Sequence, residues 1–111
     1  MEIKKEIQGS SLTIALSGRL DAVTSMDLDK ELKAVPAGTG EIVFDLQELY
    51  YVASAGLRVL LKCYKQMDKQ GGSVRFCNIQ DQVMEVLEMS GMCDIMHIKP
   101  EKGNKQAVSI G

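Results

Sequence analysis

After residue 41 the chain alternates between short apolar segments and longer amphipathic ones. The run Ile42-Val43-Phe44 is too short for a helix and is typical of a buried strand, and residues 46–53 are predicted to be a connection. Four segments follow: a helix from residue 54 to about 70, a strand at 73–77, a helix at 82–90 and a short strand at 94–98. Such alternation predicts right-handed crossovers and a parallel sheet.

The first 20 residues predict an antiparallel hairpin. Residues 3–7 form a short strand, residues 8–10 form a turn, and residues 11–17 alternate with their apolar side chains on one face: Leu12, Ile14 and Leu16. Two short strands joined by a tight turn are typical of a hairpin.

A helix is predicted after the hairpin, with Thr24 or Ser25 as its N-cap. Its apolar stripe has the spacing i, i+4, i+7 and consists of Leu28, Leu32 and Val35. Pro36 and Gly38 end it. The whole pattern therefore predicts an α/β fold with a small mixed sheet of four or five strands backed by helices.

Length and composition exclude several classes of protein. The 111 residues are enough for one domain. Thirteen basic and fifteen acidic residues give a net charge of -2, which disfavours a nucleic-acid partner. No apolar run approaches the roughly 18 residues of a membrane span, and no signal peptide is visible. The three cysteines form no CxxC pair, so we expect free thiols and a cytoplasmic location.

Ser54 lies in Val52-Ala53-Ser54-Ala55-Gly56, after the predicted buried strand and its connection and at the start of the longest predicted helix. In open α/β sheets, functional groups gather at the carboxyl ends of the strands. The local pattern alone favours a simpler interpretation, in which the Ser54 hydroxyl caps the helix. Gly56 weakens a first helical turn by about 1 kcal/mol relative to Ala. Its presence there predicts close approach by another backbone or by a partner.

Patterns for catalysis and cofactor binding are weak. A nucleophile elbow needs G-x-S-x-G, and Val52 occupies the first glycine position before Ser54. The one histidine, His97, lies in an apolar segment, and nothing in the sequence supports its pairing with Ser54. Neither a glycine-rich phosphate loop nor a cluster of hard metal ligands occurs. We therefore expect a protein that is not an enzyme and has no cofactor or metal.

Two charged features remain. On the long helix, the apolar positions Leu57, Leu60, Tyr64 and Met67 lie opposite a narrow basic stripe of Arg58, Lys62, Lys65 and Lys69. Such a stripe is by default a solvated helix face. Its functional interpretation is a docking or steering surface for an acidic partner. Asp21 lies between a strand end and a helix start. It either stabilises the turn or is a polar contact residue at the same edge of the sheet as Ser54.

Three ordered segments resemble the signatures of bacterial anti-sigma factor antagonists, the stand-alone STAS domains. The first is Gly18-Arg19-Leu20-Asp21-Ala22 followed by Thr24. The central one is Ser54-Ala55-Gly56-Leu57-Arg58-Val59-Leu60-Leu61. The third comprises Gly71-Gly72, Asn78 and Val86-Leu87-Glu88-Met89-Ser90-Gly91-Met92. The resemblance runs from about residue 3 to residue 98.

The resemblance implies one STAS domain over residues 1–98, with helices packed mainly on one side of the sheet. Residues 99–111 are then a tail, whose candidates for a short docked helix are Ala107, Val108 and Ile110. It also implies partner switching. The antagonist binds an anti-sigma factor that is itself a serine kinase and so frees a sigma factor. Phosphorylation at Ser54 ends the binding, and a serine phosphatase restores it. The implied partner-binding residues are Asp21, Thr24, Ala53, Ala55, Gly56 and Arg58.

Ala53 departs from the family pattern, which usually has Asp or Ser before the phosphorylated serine. This departure favours an alternative, a non-phosphorylated STAS subunit of a transport or sensory assembly formed with separate chains. A third hypothesis, a small α/β hydrolase that uses Ser54, lacks a supported base and an oxyanion motif and is the least favoured.

Overall fold

The computed structural model describes residues 1–98, so the predicted tail and its docked helix lie outside the described residues. The elements in chain order are β1 (Glu2–Gln8), β2 (Ser11–Leu20), α1 (Thr24–Lys33), β3 (Glu41–Val52), α2 (Ser54–Lys69), β4 (Ser73–Cys77), α3 (Asp81–Met89) and α4 (Met92–Ile95).

The four strands form one mixed sheet in the order β1-β2-β3-β4. β1 and β2 are the predicted antiparallel hairpin, and Gly9 in their turn has φ +61°, a conformation that glycine adopts without steric cost. β3 and β4 are both parallel to their preceding neighbours in the sheet. The predicted α/β fold with a mixed four- to five-stranded sheet is confirmed.

The core lies between the sheet and the helices. Alternate residues of β2 are buried, and parallel pairing aligns Leu12 with Ile42 and Ile14 with Phe44. The helices contribute further buried side chains to this cluster, among them Leu28, Leu57, Leu60, Val83 and Leu87. No helix within residues 1–98 is both long and apolar enough to cross a membrane.

The prediction that residues 46–53 form a connection is wrong, because β3 continues to Val52. Its buried positions Leu46, Leu49 and Val52 are three residues apart rather than two. The register with β2 explains this spacing: it shifts between Ala15 and Ser17 and again at Gly18, and each shift inserts an extra residue into β3. A bulged strand does not show the period of two on which the prediction relied.

The predicted final strand at 94–98 is also wrong, because that segment begins inside α4. Gly91 at φ +80° ends α3 and leads directly into a new turn, in which the N–H of Met96 donates to the carbonyl of Met92 at 2.8 Å. Met96 and Ile98 are nonetheless buried. The apolar alternation therefore reflects packing against the core and not pairing with the sheet.

Candidate functional site

The ends of β2 and β3 bring Asp21 and Ser54 to the same edge of the sheet. The two strands are parallel neighbours and pair Leu20 with Val52 at their carboxyl ends. The N–H of Ala53 donates to the carbonyl of Leu20 at 2.9 Å. Asp21 and Ser54 then begin the two segments that leave the same edge of the sheet. We call this edge, with the first residues of α1 and α2, the rim.

Ser54 is the first residue of α2, and the predicted cap is wrong. The N-cap is Ala53, whose backbone is extended, and no side chain caps the helix. Ser54 is exposed, and its hydroxyl has no hydrogen-bond partner within residues 1–98. One position earlier, the same hydroxyl would face the first-turn N–H groups. As the first helical residue, it instead points to solvent and is available to another molecule.

Asp21 stabilises the loop that leads into α1. Its Oδ1 atom accepts from the backbone N–H groups of Val23 and Thr24, each at 3.0 Å. The Thr24 hydroxyl accepts from the N–H of Asp21 at 2.8 Å and donates to the carbonyl of Arg19 at 2.7 Å. Hydrogen bonding from the Thr24 N–H holds the pKa of Asp21 below the usual 3.8. Asp21 is therefore a structural residue of the rim, half-buried rather than fully exposed.

The predicted N-cap of α1, Thr24 or Ser25, is also wrong. Val23 occupies the N-cap position without a side-chain cap, and Thr24 is the first helical residue. Ser25 is buried, and its hydroxyl donates to the carbonyl of Ala22 at 3.1 Å. The carboxylate of Asp21 instead accepts from the N–H groups of Val23 and Thr24, at the entry to α1.

Gly56 is buried against the end of β2. A Cβ atom at this position would lie 2.6 Å from Cγ of Leu20 and 3.0 Å from its carbonyl oxygen. The predicted close approach therefore exists, and the neighbour is the chain's own Leu20. Of the other predicted partner-binding residues on α2, Arg58 is exposed and Ala55 is half-buried.

Exposed apolar side chains on the rim were not predicted. Val23 is 71% exposed and Met26 is 65% exposed, both at the start of α1. Nearby, Arg19 lies over the ring of Tyr51, 4.1 Å from its centroid. On a helical wheel Met26 lies opposite the buried Leu28, so the sequence did carry a signal for it. Val23 and Met26 therefore offer apolar contact area to another protein on the rim.

The structure does not place His97 beside Ser54, as the hydrolase hypothesis would require. His97 packs against Tyr64, with their ring centroids 6.3 Å apart. Tyr64 is ten residues after Ser54 on α2, about 15 Å along the helix axis. The structure therefore does not bring His97 to Ser54. Burial raises the pKa of the Cys63 thiol to about 11, which disfavours the reactive thiolate. Residues 1–98 contain no cluster of histidine, cysteine and acidic side chains suited to a metal ion.

The fold and the rim define a small mixed-sheet domain that presents an exposed serine at the start of a helix. The STAS domain family matches residues 2–104. Over 88 residues the chain is 36% identical to BtrV of Bordetella bronchiseptica, covering 78% of this chain and 76% of that protein. Over 108 residues it is 32% identical to the anti-sigma F factor antagonist of Paenibacillus polymyxa, covering 94% of this chain and 91% of that protein.

A solved structure agrees with the fold. The crystal structure of an anti-sigma factor antagonist from Mycobacterium paratuberculosis is similar with a TM-score of 0.74 at 23% identity, over 89% of this chain and 85% of that one. The chain therefore belongs to the STAS domain family, and bacterial relatives in that family are named anti-sigma factor antagonists.

Proposed function

We propose that this protein is a cytoplasmic anti-sigma factor antagonist controlled by phosphorylation of Ser54. It binds an anti-sigma factor that is also a serine kinase, and this binding releases a sigma factor. The kinase phosphorylates Ser54 and ends the binding, and a serine phosphatase restores it. The observation that carries the proposal is the exposed Ser54 hydroxyl on the rim of a STAS domain, without a hydrogen-bond partner among residues 1–98.

A phosphoryl group at Ser54 is compatible with the folded state. It adds about -1.5 to -2 charges at neutral pH. The first residue of a helix is the positive end of the helix dipole, so this position tolerates the added negative charge. Because the hydroxyl makes no internal hydrogen bond within residues 1–98, its modification breaks no described contact.

The same phosphoryl group opposes a docked partner. Val23 and Met26 supply exposed apolar area on the rim, and Ser54 lies on that rim. An unpaired charge buried in an interface costs roughly 2–5 kcal/mol. At 1.4 kcal/mol per tenfold, the affinity falls by about 30-fold to several thousand-fold. A switch therefore needs no rearrangement of the domain.

Ala53 has no polar side-chain group that could orient Ser54, so backbone hydrogen bonds of Ala53 hold Ser54 in position. Its N–H is held by the carbonyl of Leu20, and its own carbonyl accepts from the N–H of Leu57 at 3.0 Å. These two bonds fix the chain on either side of Ser54. A STAS subunit without a phosphoswitch remains the alternative that the phosphorylation experiment can support.

The test is phosphorylation and binding with the cognate anti-sigma factor. Incubation with that kinase and ATP should add one phosphate at Ser54, located by mass spectrometry. Ser54→Ala should bind the partner as wild type does, because the hydroxyl makes no described contact. Ser54→Asp should bind more weakly because it adds charge to the rim.

Ser73→Asp is the matched control. Ser73 is also exposed but begins β4, at the opposite end of the parallel strands from the rim. Its added charge should leave partner affinity within about twofold of wild type, as for a remote surface change. Phosphate on another residue, or wild-type affinity of Ser54→Asp, would contradict the proposed switch. The assembly-subunit alternative would then take its place.

A further inference from the structure

The outer face of α2 carries a strip of positive charge that begins at the proposed phosphorylation site. At 100° per residue, five exposed residues lie within a sector of about 80°: Ser54, Arg58, Lys62, Lys65 and Lys69. We call these five residues the α2 strip. It extends about 22 Å along the helix, from the rim to the last turn of α2.

Most of the positive charge on the α2 strip is unpaired. Lys62 forms an ion pair with Asp29 of α1 at 3.2 Å. Within residues 1–98, Arg58, Lys65 and Lys69 have no such partner. The four basic side chains, with Leu61 and Gln66, line an open groove of about 430 Å³. The groove therefore combines a partly apolar floor with cationic walls.

The local charge contrasts with that of the whole chain. α2 holds four of the 13 basic residues and one of the 15 acidic residues, Asp68. The net charge of -2 disfavours a large polyanion such as a nucleic acid or an anionic membrane. An acidic surface of about the strip's length, carried by another protein, fits both the local and the overall charge.

We propose that the α2 strip docks an acidic surface of the anti-sigma factor, and that phosphorylation of Ser54 weakens this docking by partly neutralising the strip. The proposal rests on the proposed function. Ser54 and Arg58 are i, i+4 neighbours, whose Cβ atoms are about 5–6 Å apart on a helix. A phosphoryl group there would offset about half of the four positive charges.

The strip should act mainly on the rate of association. Exposed complementary charges steer two proteins together, and this effect is screened as the Debye length shortens from about 10 Å at 0.1 M salt. Removal of peripheral charges therefore lowers the association rate constant and its salt dependence, while the dissociation rate constant changes little. Phosphorylation at the rim acts in addition on the docked complex.

The experiment measures association with the purified cognate anti-sigma factor by stopped-flow fluorescence. The test variant is Lys65→Glu/Lys69→Glu, which leaves the rim intact. At about 50 mM salt its association rate constant should be at least about tenfold below that of wild type. At about 500 mM salt the two should agree within about twofold.

The control variant is Lys4→Glu/Lys30→Glu, which changes the net charge equally at exposed positions on β1 and α1. Its association rate should stay within about threefold of wild type at low salt. Circular dichroism establishes that both variants are folded.

Each outcome bears on a different proposal. If wild type does not bind the anti-sigma factor, the proposed function fails and the strip proposal fails with it. If wild type binds and both variants associate at equal rates, the strip proposal alone fails. Binding of wild type to anionic vesicles or duplex DNA, abolished by Lys65→Glu/Lys69→Glu, would also overturn it by assigning the strip to a different class of partner.

Discussion

Replacement of Gly56 by alanine should destabilise the protein although it improves the helix. In an unobstructed helix interior, Gly→Ala stabilises by about 1 kcal/mol. Here the new Cβ atom would lie 2.6 Å from Cγ of Leu20, whereas ordinary contacts begin at 3.4 Å. The neighbour cannot easily yield, because Leu20 is fully buried and its carbonyl, 3.0 Å from the Cβ position, is backbone.

The expected size follows from these two opposing effects. Overpacking a close-packed site costs typically about 1–3 kcal/mol, and a 0.8 Å overlap with a fully buried side chain belongs in the upper part of that range. After the gain in helix propensity, Gly56→Ala should lower the free energy of unfolding by about 1–2 kcal/mol. Urea denaturation followed by circular dichroism measures this value.

A double-mutant cycle identifies the clash. Leu20→Ala alone should cost about 2–5 kcal/mol because it removes a buried side chain. It also removes the two closest atoms, Cγ and Cδ2, and leaves the carbonyl. In this background Gly56→Ala should cost at least about 1 kcal/mol less than in wild type. A stabilising effect of Gly56→Ala in wild type, or an equal cost in both backgrounds, would refute the reasoning.

Two further predictions concern stability. Leu60→Ala should cost about 2–5 kcal/mol because Leu60 is 1% exposed. Lys62→Ala should cost no more than about 0.5 kcal/mol, because its ion pair with Asp29 is on the surface. Equal urea midpoints for Leu60→Ala and Lys62→Ala would show that the buried and exposed faces of α2 are assigned wrongly. The lowered pKa of Asp21 contributes stability that is present above pH 3.8 and lost as the pH falls through that lowered value. The stability difference between wild type and Asp21→Asn should therefore shrink as the pH falls below 3.8; a difference independent of pH throughout the acid range would contradict it.

The spacing of apolar residues predicted the regular elements of this fold, because each of these elements keeps a single period along its length. The alternation in β2 and the start of α2 at Ser54 are as predicted. Tyr64, by contrast, was placed with Leu57, Leu60 and Met67 on the apolar face of the long helix, and it is only half-buried. It lies toward one border of the apolar sector, whereas Cys63, 100° away at the other border, is buried. A helical wheel gives the centre of a face more reliably than its borders.

The rim was predictable in position but not in detail. Ser54 and Asp21 both follow strands, and parallel pairing necessarily brings such strand ends to one edge. The hydrogen bonds that each of these side chains makes depend on which residue is the N-cap, and moving the helix start by one residue changes them. With Ala53 as the N-cap, the Ser54 hydroxyl takes no capping bond of α2; Asp21, in the loop before α1, accepts from the N–H groups of Val23 and Thr24. Sequence propensities locate a helix end only to within one or two residues, so they do not predict an offset of a single residue.

The packing of Gly56 also explains how the rim can carry a switch without changing shape. The Leu20 carbonyl accepts from the N–H of Ala53 and lies against Gly56, so it fixes the chain on both sides of Ser54. The backbone is therefore rigid where the side chain is free. A phosphoryl group added to such a position changes charge and bulk at the surface while the helix start stays in place. This arrangement favours a switch that acts on the partner's surface over one that acts through unfolding of α2.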